Sequence, residues 1–166
     1  TSINGNILTV TGNQDFNGNV SLDLTVSDGE LSASQSLSVN ITAVNDAPVL
    51  ASVSNVSFSE DGSGFLSLSA SDVDDGDSAT FSISGGTDIT ATLDGSSVVF
   101  SAPDNFNGSE SFTVSVTDSG DLTDSQGITI IIYPVNDEPV LSVIGNRSVD
   151  EDSVLNLLLS ASDIEG

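Results

Sequence analysis

The chain has 166 residues, of which 25 are acidic and one, Arg147, is basic, so its formal charge is −24. That balance excludes nucleic acid as a direct partner, because a phosphate-binding face needs clustered Lys and Arg, and anionic membrane surfaces would repel it. With no Cys there are no disulfides or thiolate metal sites; with no His or Lys either, no nucleophile has an adjacent base, and the chain reads as non-enzymatic.

Apolar residues make up 37% of the chain and alternate regularly with polar ones, which argues for packed strands despite the charge. In the first 46 residues the alternation runs through Ile7 to Val10, then Leu22, Leu24 and Val26, then Leu37, Val39 and Ile41. Val44-Asn45-Asp46-Ala47-Pro48-Val49-Leu50 follows, and its Pro forces extended backbone and bars a helix. Strands are expected near Phe58, over Phe65 to Ala70, over Ala79 to Ser84 and over Thr90 to Leu93. A hairpin turn at Asp94-Gly95 leads into the strand of Val98 and Phe100. Phe112, Val114 and Val116 mark another strand, and Gly127 to Val135 the last, with Ile128, Ile130 and Ile132 on one face and Tyr133 on a core-like strand. No window carries a helical period, and about seven strands make a two-sheet sandwich. Phe16 and Phe106, each in a Phe-Asn-Gly turn, read as plugs at the sandwich ends.

Val135-Asn136-Asp137-Glu138-Pro139-Val140-Leu141 then repeats the earlier seam, placing Pro139 91 residues after Pro48. The same offset links Glu60 to Glu151, Asp61 to Asp152, Ala70 to Ala161 and Asp72 to Asp163. Upstream the offset is 90: Asn4-Gly5 matches Asp94-Gly95, Phe16-Asn17-Gly18 matches Phe106-Asn107-Gly108, and Asp28 matches Asp118. Gln35 against Gln126 restores 91, so one residue is inserted between Asp118 and Gln126. A fixed period is the mark of a tandem array, and an insertion confined to a loop is what such arrays tolerate. The expected organisation is the later half of one repeat in residues 1–46, a complete repeat in 47–137, and the opening of a third in 138–166. The last of these carries Val149, Leu155, Leu157 and Leu159 as strand residues. Having no Met, the chain reads as a segment of something longer.

Carboxylates and amides recur at the repeat ends: Asn45 and Asp46, Glu60, Asp72-Val73-Asp74 with Asp75 and Asp77 behind, Asp118, Asn136 and Asp137, and Asp163-Ile164-Glu165. A sandwich gathers its loops at two ends, and calcium takes six to eight hard oxygens of this kind. Calcium is therefore the expected ion. Magnesium, which keeps its waters, suits an all-protein cage less well.

These motifs resemble the cadherin-like tandem repeats of bacterial surface and secreted proteins. Pro48 through Glu60-Asp61 is similar to the first strand with its Glu motif, and Ala70-Ser71-Asp72-Val73-Asp74 to the Ala-x-Asp-x-Asp motif. Val116-Thr117-Asp118 resembles the later Ala-x-Asp motif, and Asn136-Asp137-Glu138-Pro139 the linker. The resemblance implies an immunoglobulin/cadherin-like Greek-key sandwich and calcium at each junction. A first seam would use Asn45, Asp46, Asp72, Asp74 and Asp118. A second would use Glu60, Asn136, Asp137, Asp163 and Glu165. Asp28 and Glu151 would serve seams on either side. The linker is one residue shorter than the animal pattern, and Asp104 to Glu110 stands where the animal Leu-Asp-Arg-Glu motif would be.

The function this implies is an extracellular or cell-surface adhesin or filament segment whose partners are neighbouring repeats or like molecules. A carbohydrate-binding array is the alternative, with glycans as partners, although sugar stacking wants exposed aromatics and the chain has no Trp and one Tyr. A third reading is a fibre subunit whose incomplete ends complement each other head to tail. The longest apolar run, Ile128 to Val135, is too short for a membrane span.

Overall fold

The computed structural model describes residues 1–74, 76 and 78–164. Asp75, Asp77 and Glu165 lie outside the described residues. Among the described residues every regular element is a strand: β1 (Ser2–Asn4), β2 (Ile7–Thr9), β3 (Gly18–Ser27), β4 (Ser32–Ile41), β5 (Val49–Leu50), β6 (Val56–Ser59), β7 (Gly64–Ser67), β8 (Ala70–Ser71), β9 (Thr80–Gly85), β10 (Thr90–Asp94), β11 (Ser97–Ser101), β12 (Gly108–Thr117), β13 (Thr123–Tyr133), β14 (Val140–Leu141) and β15 (Ala161–Ser162). They fall into two compact units. The first is residues 1–50 with 70–80 and 116–124; the second is residues 51–69 with 81–115 and the chain from 125 onward.

The second unit contains a three-stranded sheet, β10-β11-β7, and a four-stranded sheet, β6-β13-β12-β9. Their facing residues are those the alternation marks. Val98 and Phe100 on β11, Phe112 and Val114 on β12, and Ile128, Ile130 and Ile132 on β13 are all buried. Phe100 and Phe112 join the two sheets edge to face, with ring centroids 5.4 Å apart and planes at 73°. That geometry sets the positive ring edge against a negative face. The Gly95-Ser96 turn closes β10 on β11 with Asp94 opposite Ser97, and Gly95 takes the positive φ (59°) that such a turn requires.

The start of the second unit is held by side chains more than by ladder. Gln126 Oε1 accepts from the Val53 amide at 3.0 Å while its Nε2 donates to the Val53 carbonyl. Asn55 Oδ1 accepts from the Thr129 amide at 2.8 Å. Beyond these clasps, β6 runs parallel to β13 with Val56 opposite Ile130 and Phe58 opposite Ile132. Across the sheet, the Glu110 carboxylate accepts from three successive amides, Thr87 (2.8 Å), Asp88 (3.1 Å) and Ile89 (3.0 Å), and fixes the loop between β9 and β10.

The first unit contains two ribbons, β1-β2 and β3-β4, and the short pair β5-β8. β3 and β4 pair over their full length from Gly18 opposite Ile41 to Ser27 opposite Ser32. Val20, Leu22 and Leu24 are half-buried on alternate positions of β3.

The 91-residue period is visible in the backbone. Val49 pairs with Ser71 and Leu50 with Ala70; Val140 pairs with Ser162 and Leu141 with Ala161. The Ala51 amide donates to the Ser69 carbonyl at 2.9 Å, as Ser142 does to Ser160 at 2.9 Å. Asp61 and Asp152 share φ near +60° (61° and 62°), as do Asp15 and Asn105 (60° each). The loop bonds also locate the insertion: Asp28 N donates to Leu31 O, whereas Asp118 N donates to Leu122 O, so the extra residue lies within 119–122.

Four expectations need correction. The strand expected over Phe65 to Ala70 is two strands, β7 and β8, because the run changes partner from β11 to β5. Tyr133 is 53% exposed, on the outward parity of β13. Phe16 does not plug its end: it is 45% exposed, whereas Phe106 is half-buried. Strands are not formed at Val149 or Leu155 to Leu159, for their counterparts 91 residues earlier are held by β13 and β11 and no such ladder forms over 143–160.

Candidate functional site

The first seam is an extended strip ending in Pro48, which is buried, and its polar groups lie in the first unit. An extended backbone points its amides sideways, and a nearby carboxylate meets one of them. The Asp46 amide donates to Asp74 Oδ2 at 2.7 Å. The Asp74 amide in turn donates to Asp72 Oδ1 at 2.9 Å, an Asx turn that shapes the Asp-x-Asp motif. Asn45 Nδ2 donates to its neighbour's carbonyl at Asp46 (3.1 Å) and to Asp118 Oδ2 (2.8 Å). The structure therefore brings together all five residues expected at this seam.

Asp118 is 7% exposed, and its second oxygen is committed too: Oδ1 accepts from the amides of Gly120 and Leu122, both at 2.8 Å. It closes its own loop as well as facing the seam. Asp28 grips its loop identically through Glu30 (3.0 Å) and Leu31 (2.8 Å), and these hydrogen bonds, Leu31 first, hold its carboxyl below the usual range. Asp72 is different. Its Oδ2 is buried and has no hydrogen-bond partner among the described residues. A carboxylate oxygen kept dry and unpaired costs stability unless a positive group answers it.

Asp15 joins this group, and reading by motif missed it. The Asp46 carboxyl is pushed up by loss of solvent first, then by Asp15, Asp74 and Asp72. Asp15, Asn17, Asp46 and Asp74 line one pocket of about 270 Å³. The signal was available: Asp15 stands in the Asp-Phe-Asn-Gly turn, opposite Asn105 of the other copy, so a carboxylate replaces an amide at a repeat-equivalent place.

The second seam lies in the second unit and repeats part of this. Asn136 Nδ2 donates to the Asp137 carbonyl at 2.7 Å, as Asn45 does to Asp46. Glu60 is 5% exposed; its Oε1 accepts from the Val135 amide and its Oε2 from Asn107 Nδ2 at 3.4 Å. Its own amide donates to the Tyr133 carbonyl at 2.9 Å, so Glu60 pins the seam where it leaves β13. Asp163 is exposed just after β15, and Glu165 lies outside the described residues.

Among the described residues, no group of three or more carboxylates is arranged to hold a metal ion. The donor chemistry of the first seam nonetheless fits a hard divalent cation: all donors are oxygens, one buried oxygen is unanswered, and the carboxylates repel each other. No helix of the described residues is long and apolar enough to cross a membrane.

Comparison with known proteins agrees with the sandwich. The family described as Bacterial Ig domain matches residues 45–131. Among solved structures, the extracellular cadherin domains 1–4 of protocadherin gamma B7 superpose with a TM-score of 0.56 at 20% identity, over 92% of this chain and 42% of that one. Domains 1–5 of protocadherin gamma B2 give 0.57 at 19% identity, over 90% and 32%. Domains 1–4 of PcdhgB3 give 0.59 at 19% identity, over 95% and 43%. The chain thus spans less than half the length of these structures, and at such identity they speak to fold. No curated protein sequence matches it. With its all-β architecture and tandem seams, the chain belongs to the bacterial Ig domain family and has the cadherin-like form of that fold.

Proposed function

We propose that the chain is a non-enzymatic segment of an extracellular array of cadherin-like repeats, stiffened by calcium at its seams and serving adhesion or assembly at a cell surface. In this reading the repeats divide at 1–46, 47–137 and 138–166. The observation that carries it is the buried Oδ2 of Asp72, without a hydrogen-bond partner among the described residues, inside the network of Asn45, Asp46, Asp74 and Asp118. Calcium would supply positive charge there. The chain's own part is to hold the oxygens in place: Asp74 through the Asp46 amide, Asp118 through its loop, and Asp46 with a carboxyl raised by loss of solvent and then by its acidic neighbours. At the second seam Asn136, Asp137, Glu60 and Asp163 would do the same. Extracellular modules bind calcium with Kd of about 10⁻⁴ to 10⁻³ M, so about 10 mM calcium would stabilise a 10⁻⁴ M site by about 2.7 kcal/mol.

The test is thermal unfolding in calcium, in magnesium and in chelator, for the parent and for Asp72→Asn. The expected outcome is a Tm raised by several degrees in calcium, less in magnesium, and a smaller rise in the variant. Equal Tm in calcium and chelator would reduce the acids to a solvated surface. A glycan-binding reading has less support, because sugar stacking favours Trp and Tyr and the chain has no Trp and one Tyr.

A further inference from the structure

The outer face of the four-stranded sheet is built without charge. On β6, β9, β12 and β13 the outward positions are all Ser or Thr, apart from Gly127, Ile131 and Tyr133. The two acids of these strands have the inward parity: Glu110 accepts from the amides of 87–89, and Asp124 Oδ2 from the Leu50 amide at 2.9 Å. Ile131 and Tyr133 stand two residues apart on β13, opposite Ser57 and Ser59 of β6, and Tyr133 is 53% exposed. The ladder itself does not demand this composition. At the repeat offset, Thr113 corresponds to Asp23, Ser59 to Asp150, Ile131 to Asn40 and Tyr133 to Thr42. Asp23 sits exposed on the outward parity of β3, where the Ser36 hydroxyl donates to it. Two positions that carry acids elsewhere in the chain are thus hydroxyls here, and two polar positions have become apolar or aromatic. All four differences suit a face that is covered, since burying a carboxylate costs free energy and burying apolar area gains it.

We propose that this face packs against the same face of a second copy. The chain's charge selects that occupant. At −24, two copies repel wherever acids meet, so a face free of them is where apolar contact goes unopposed. A basic partner would be drawn to the acidic repeat ends instead, and would gain nothing from removing charge here. The same patch on both molecules makes an isologous contact that closes at a dimer. Four strands about 4.8 Å apart, with about five residues each at about 3.3 Å, offer on the order of 300 Å² per copy. A stable interface takes about 800 Å² per partner, so one such face gives a weak pair, with Kd on the order of 1 mM. Repeated along two parallel rods, the contact would gain by avidity. Its use in assembly rests on the array reading proposed above, but the contact itself needs no calcium.

The test is sedimentation equilibrium and two-dimensional NMR of the chain in chelator, from about 0.01 mM to about 1 mM protein. Mass should move from monomer toward dimer, with shifts confined to the outward residues of the four-stranded sheet. Raising salt from about 0.15 M to about 1 M shortens the screening length from about 8 Å to about 3 Å and should tighten the dimer. Thr113→Asp, and Ile131→Asn combined with Tyr133→Thr, install residues that the counterpart positions already carry, so circular dichroism should be unchanged. Each should weaken the dimer about tenfold or more. A monomer with unmoved spectra at the highest concentration would overturn the proposal, as would a dimer indifferent to both variants or loosened by salt. Mass climbing past a dimer, or shifts on β7, β10 and β11 instead, would also overturn it. Shifts that appear only when dextran is added would give the face to a neutral glycan and overturn the second copy. Because every arm is run in chelator, failure here leaves the calcium reading to its own melting test.

Discussion

Replacing Glu110 tests how far one carboxylate can hold a loop. Its two oxygens accept from Thr87, Asp88 and Ile89 at 2.8–3.1 Å, and these bonds, Thr87 first, hold its carboxyl below the usual glutamate range. A bond to a charged acceptor contributes about 1.5–3 kcal/mol when buried, but this loop is largely wet, so about 0.5–1 kcal/mol per bond is the fair scale. Glu110→Ala should therefore cost about 2 kcal/mol near neutral pH, and Glu110→Gln, which keeps one good acceptor, about half that. The pH dependence has a definite sign. With a folded pKa below the unfolded one, the stabilisation is complete above the unfolded value and is lost as pH falls through the folded value. Denaturant unfolding of parent and variant at pH 6 and at about pH 3 should show the gap closing, and the difference cancels effects common to the whole acidic chain. Hydrogen exchange at 87–89 should speed up in Glu110→Ala at pH 6. A variant as stable as the parent at pH 6, or a gap unchanged in acid, would refute the argument and leave Glu110 a packing residue.

Three further outcomes are expected. Phe100→Ala, which empties the joint between the two sheets, should lower unfolding stability by about 3–5 kcal/mol in denaturant titration. Gly86→Ala places a Cβ 2.4 Å from the Phe112 ring and 2.5 Å from the Ile89 carbonyl at φ +72°, and should cost about 2–4 kcal/mol; Gly5→Ala, at φ +60° with nothing within 4 Å, should cost about 1 kcal/mol, so that the pair separates crowding from backbone strain. Gly120→Ala brings a Cβ within 2.7–2.8 Å of the Asn45 amide group; because that side chain can swing, stability should fall by less than about 1 kcal/mol, while the NMR signal of Asn45 Nδ2 should shift as its bond to Asp118 breaks.

Much of the fold was legible because its signals are periodic. Phe112, Val114 and Val116 face inward because alternate residues on a strand share a face, and the seam pairs of Val49 and Val140 repeat because their sequences do. What escaped depends on partners distant in sequence. Nothing local says that the run after Phe65 must change sheets, or that Gln126 and Asn55 stand in for a ladder. The first-seam residues could be named from their motifs, but their division of labour could not. That Asp118 has both oxygens engaged while Asp72 keeps one unanswered follows from loop geometry. Asp15 was hidden because its turn was judged by its aromatic alone.

The loops after Asp28 and Asp118 differ by one residue, yet in both the aspartate grips the amide two positions on and the amide of the closing leucine. The carboxylate acts as a clip that is indifferent to the length of what it encloses. That makes the turn a natural splice point: a peptide tag or epitope placed after Gly29 or Asp121 would leave the strand ends clamped by Asp28 or Asp118. Of the two, the Gly29 turn is the roomier host, since nothing lies within 4 Å of a Cβ there, whereas Gly120 already sits against Asn45.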